Sequence, residues 1–125
     1  MITEDYVSYK VARLLQEKGF DEVCFACYEY FISGVTLYRG WMFEYKGESV
    51  RNTDERVKCP TLQMAMRWLR EVHHLHITIY SSSQESWMYR ITKPHQKLEE
   101  GEYGEDFYSY ENACDAAIKH CLEML

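Results

Sequence analysis

Ala113, Cys114, Ala117, Ile118, Cys121, Leu122 and Leu125 step along the end of the chain by one and three in turn. That spacing lays a single apolar stripe along an α-helix. A helix that is apolar on one side must be covered by a second layer, so the stripe demands a sheet or another helix against it. Ser109 is placed to cap this helix, with Glu111 and Asp115 near its positive end and Lys119 and His120 near its negative end.

Two further segments show the same period. In the first, Val7, Val11, Leu14 and Leu15 lie on one side and Lys10, Arg13, Glu17 and Lys18 elsewhere. Ser8 and Thr3 are rival caps, and Gly19 is a good stop because glycine takes the left-handed C′ conformation without strain. Phe20 is then placed to fold back on the last turn. The second helix opens at Pro60-Thr61, with Leu62, Ala65, Met66 and Leu69 as its stripe and Met64 and Trp68 widening it. Gln63, Arg67, Arg70 and His74 face away, and His73 and His74 suit the negative end of its dipole.

Between the helices the pattern is that of strands. Residues 22–32, rich in aromatic and apolar side chains, read as one strand, with Ser33-Gly34 turning into a second that contains Thr36–Tyr45. Gly40 inside that run suggests a bulge. Residues 46–59 are polar and read as a loop. Leu75–Tyr80 alternates, with Leu75, Ile77 and Ile79 inward, and pairs across the SSSQES loop with Trp87–Thr92, whose inward residues are Trp87, Tyr89 and Ile91. Pro94 ends that strand, and Lys97–Asp106 reads as an acidic loop. The expected architecture is α+β, ordered αββ-αββ-α: one four-stranded antiparallel sheet covered by three helices, in a single domain of 125 residues. Ser8, Thr61 and Ser109 each precede an alanine four positions on, a weak sign of internal duplication.

Charge and cysteine content narrow the class. Twenty acidic side chains against fourteen basic ones give a net charge of −6, and most of it sits in Glu99, Glu100, Glu102, Glu105 and Asp106. The remaining body is near neutral and lacks the broad positive field that nucleic-acid binders use. Five cysteines, an odd count, and an acidic amino terminus without an apolar signal segment point to a reducing compartment, the cytoplasm, and to no membrane association. Eleven tyrosines suit half-buried strand faces or a surface that meets a partner.

Taken together, SYKVARLLQEKGF, CPTLQMAMRWLREVHHLHITIY and SYENACDAAIKHCLEML resemble small uncharacterised proteins of phages and mobile elements of Bacteroides-type gut bacteria. The resemblance covers roughly half the chain. It implies a bacterial or phage-encoded accessory protein and supplies no activity, cofactor or catalytic residue.

The chemistry-bearing residues each have a bland reading beside the sharp one. Cys24 and Cys27 form a CxxC, but on a strand residues three apart face opposite ways, and a zinc ribbon needs a second such pair. His73, His74 and His76, with Cys59, are the material of a metal site; the helix dipole already accounts for the histidines at its end. Cys114 and Cys121 share the apolar stripe and read as core. Cys59, just before a helix start, is the one thiol placed to be reactive. The Ser81–Ser83 run lacks the surroundings of a nucleophile elbow, and neither a glycine-rich phosphate loop nor a calcium loop is present. Lys10, Arg13, Arg67 and Arg70 are the only basic residues that suggest phosphate contact, diluted by Glu17 and Glu71. No catalytic, cofactor-binding or metal-binding residue is assigned. The expected function is non-enzymatic, acting through a protein partner or a homodimer. The alternatives are a nucleic-acid-binding module and a small enzyme or metal-binding protein.

Overall fold

The computed structural model describes residues 4–39, 56–81 and 85–125. The chain divides into two compact units, Met1–Thr61 and Leu62–Leu125.

In the first unit, helix α1 (Tyr9–Glu17) precedes strands β1 (Cys27–Phe31), β2 (Gly34–Tyr38) and β3 (Arg56–Lys58). The helix starts where Ser8 Oγ accepts from the Val11 amide at 3.3 Å. It ends as the glycine predicted. Gly19 has φ 89°, its amide donates to Gln16 O, and the Phe20 amide reaches back to Leu15 O at 2.9 Å while Phe20 itself is buried. The rival cap Thr3 lies outside the described residues. The strands form an antiparallel sheet in the order β2-β1-β3, and α1 packs against β3. Tyr28 crosses from β1 to donate its hydroxyl to Val7 O at 2.7 Å and meets Tyr9 edge-on, with ring centres 5.5 Å apart. Lys58 is buried, and its ammonium is satisfied by Asp21 at 2.9 Å and by Glu22 O at 3.0 Å.

In the second unit, helix α2 (Leu62–His73) is followed by β4 (His76–Ser81), β5 (Trp87–Thr92), a 3-10 turn at Leu98–Glu100, β6 (Glu102–Phe107) and helix α3 (Tyr110–Glu123). The sheet order is β4-β5-β6, antiparallel throughout. Helix α3 packs against all of its strands and against α2. Ser109 caps α3, accepting from the Asn112 amide at 3.0 Å. Of the apolar stripe, Ala113, Cys114, Ala117, Ile118, Cys121 and Leu122 are buried, while Leu125 at the end is exposed.

Two strands were not expected from the sequence, and among the described residues there are two three-stranded sheets in place of the one four-stranded sheet expected. Arg56–Lys58 falls in the stretch expected to be a loop. It is a strand because β1 supplies the partner; three residues are too few to show a period of their own. The acidic segment likewise contains β6. Glu102 and Gly104 face the helix side of this strand, where apolar residues are the usual signal. Between Trp87/Phe107 and Tyr89/Gly104, Glu105 and Asp106 oppose Met88 alone, a bulge with Asp106 at φ 65°. The central strand is β1, the first of its sheet, in one unit and β5, the second of its sheet, in the other, so among the described residues the two sheets differ in strand order. The strand expected over residues 40–45, the bulge at Gly40 and most of the Ser81–Ser83 tip lie outside the described residues.

Candidate functional site

All five cysteines are free and buried. Burial pushes Cys24 and Cys114 up to about 11 and Cys121 up to about 12, against only partial relief at Cys24 from the Lys58 charge. Burial also raises Cys27, with Arg56 opposing it. Cys59, the thiol singled out as reactive, is 1% exposed, and its Sγ lies 3.5 Å from Val7 O and 3.8 Å from Pro60 O. A reagent or substrate in solvent does not reach it.

The histidines separate. His73 closes α2 with its ring edge-on to Trp68 at 4.7 Å, and its Nε2 is buried with no hydrogen-bond partner among the described residues. His74 follows in the left-handed region at φ 58°, exposed, and His76 starts β4, also exposed. Among the described residues no group of three or more His, Cys, Asp or Glu is arranged to hold a metal ion. Arg67 and Arg70 share one carboxylate, Glu71, each at 4.0 Å. No helix among the described residues is long and apolar enough to cross a membrane.

Two arrangements remain. The first is a polar relay in the second unit. Tyr89, on β5 and 7% exposed, places its hydroxyl 2.6 Å from His120 Nδ1 on α3, and His120 Nε2 pairs with Glu102 on β6. A carboxylate can only accept, so Nε2 carries the proton. In the neutral ring Nδ1 is then the acceptor for the Tyr89 O–H. Burial raises the Tyr89 phenol, with smaller electrostatic contributions in the same direction from Cys121 and from the carboxylates of Glu102 and Glu123, so the hydroxyl stays protonated. An activated tyrosine nucleophile or base needs the opposite shift. The relay therefore joins α3 to two strands and generates no phenolate. Sequence reasoning gave His120 to the helix dipole and Glu102 to a loop. The available signal was Tyr89 itself, since an inward tyrosine on a strand requires a partner for its hydroxyl.

The second arrangement is the β1–β2 hairpin. Its register runs from Cys27↔Tyr38 to Phe31↔Gly34 across a two-residue turn, Ile32-Ser33. The Ser33-Gly34 expectation is thus shifted by one residue, with Gly34 at φ 139° starting β2. In such a hairpin the pair flanking the turn is hydrogen-bonded, and bonded and non-bonded pairs alternate from there. Gly34, Thr36 and Tyr38 therefore turn their amides toward β1. Val35 and Leu37 turn theirs outward, and among the described residues no strand pairs with that outer edge. Around it Tyr30 is 58% exposed, Val35 38%, and Phe31 and Ile32 are also open to solvent. Strand β2 carries no charge, no proline and no bulge, the devices that normally protect a sheet edge.

No family model matches this chain, and no curated protein and no solved structure matches it.

Proposed function

We propose that the protein is a non-enzymatic binding module that takes up an extended protein segment along the outer edge of β2. One observation carries this reading: a strand edge, Gly34–Tyr38, that no strand among the described residues pairs with, beside exposed Tyr30, Phe31, Ile32 and Val35. Outward amides and carbonyls supply affinity through main-chain hydrogen bonds. The side chains add apolar area, each worth about 1.5–3 kcal/mol when fully covered. The accessory role in a phage or mobile element rests on the sequence resemblance alone.

The alternatives lack a comparable observation. Glu71 lies against both Arg67 and Arg70, Cys59 is buried, and the Tyr89 phenol is held protonated.

The test is binding of a labelled Thr-Val-Thr-Val-Thr peptide, followed by fluorescence anisotropy and by amide chemical shifts. Shift changes confined to residues 30–39 are expected. The Val35→Pro variant, which removes an outward N–H and leaves the β1 ladder its donors, is expected to abolish them. Shifts located elsewhere, or a Val35→Pro variant that binds as well as the parent, would refute strand addition.

A further inference from the structure

We draw no further inference here: the strongest candidate, the face of the β4-β5-β6 sheet around Arg90 on the side away from Tyr89 and Ile91, carries a guanidinium Nε with no hydrogen-bond partner among the described residues, but that nitrogen is itself buried, out of reach of a ligand in solvent.

Discussion

A β-carbon on Gly104 would collide with Cε2 and Cζ of Tyr89, so β6 passes against that ring only because residue 104 has no side chain. The same ring stacks on Phe107 at 5.7 Å and directs its hydroxyl to His120. Gly104→Ala is therefore expected to destabilise the protein by about 1–3 kcal/mol through overpacking. Urea denaturation checks this; an unchanged midpoint would mean that the ring moves aside at no cost.

Tyr89→Phe keeps the ring and removes the hydroxyl. His120 Nδ1 then loses its donor in a half-buried place, at an expected cost of about 1–2 kcal/mol. Denaturation measures the loss. A NMR shift of the His120 ring resonances in the same variant separates loss of this bond from a general loosening. An intact ring environment would contradict the relay.

His74 occupies a left-handed conformation at φ 58° directly after α2, where Leu75 N reaches back to Leu69 O at 3.1 Å. A side chain there costs about 1 kcal/mol that glycine avoids. His74→Gly is expected to stabilise by roughly 0.5–1 kcal/mol, seen as a higher melting temperature. A lower one would show that the imidazole makes an interaction worth more than the strain.

The buried thiols set an alkaline limit. Free thiols titrate near 9.0, whereas Cys24 and Cys114 are held near 11 and Cys121 near 12. Between those values the unfolded chain has released protons that the folded chain keeps. Stability is thus undiminished below about pH 9 and falls as pH rises through that window, by about 1 kcal/mol per thiol per pH unit. Urea midpoints at pH 8, 9 and 10 should decline over the last step, and Cys114→Ala should flatten the decline. A level profile would place these thiols in contact with water.

The helices were legible because each carries its own evidence: Ser8 and Ser109 as caps, Gly19 as a stop, and a one-sided stripe. Strands β4 and β5 were legible from the alternation of Ile77 and Ile79 and of Tyr89 and Ile91. Strands β3 and β6 were not, since Arg56–Lys58 is too short to show a period and Gly104 stands where an apolar residue would mark the inner face. The relay was hidden for a related reason. Tyr89, His120 and Glu102 come from separate elements, and only the register of β5 against β6 brings them together. The edge of β2 that no described strand pairs with was equally invisible, because a strand does not encode which of its sides is paired.

Amide hydrogen exchange at Val35 and Leu37, followed without and with the Thr-Val-Thr-Val-Thr peptide, probes that edge most directly. Both amides should exchange freely in the protein alone and become at least tenfold slower with saturating peptide, while Gly34, Thr36 and Tyr38 stay protected throughout. Rapid exchange of Val35 and Leu37 with peptide present, or equal slowing along the whole strand, would contradict pairing through the outer edge of β2.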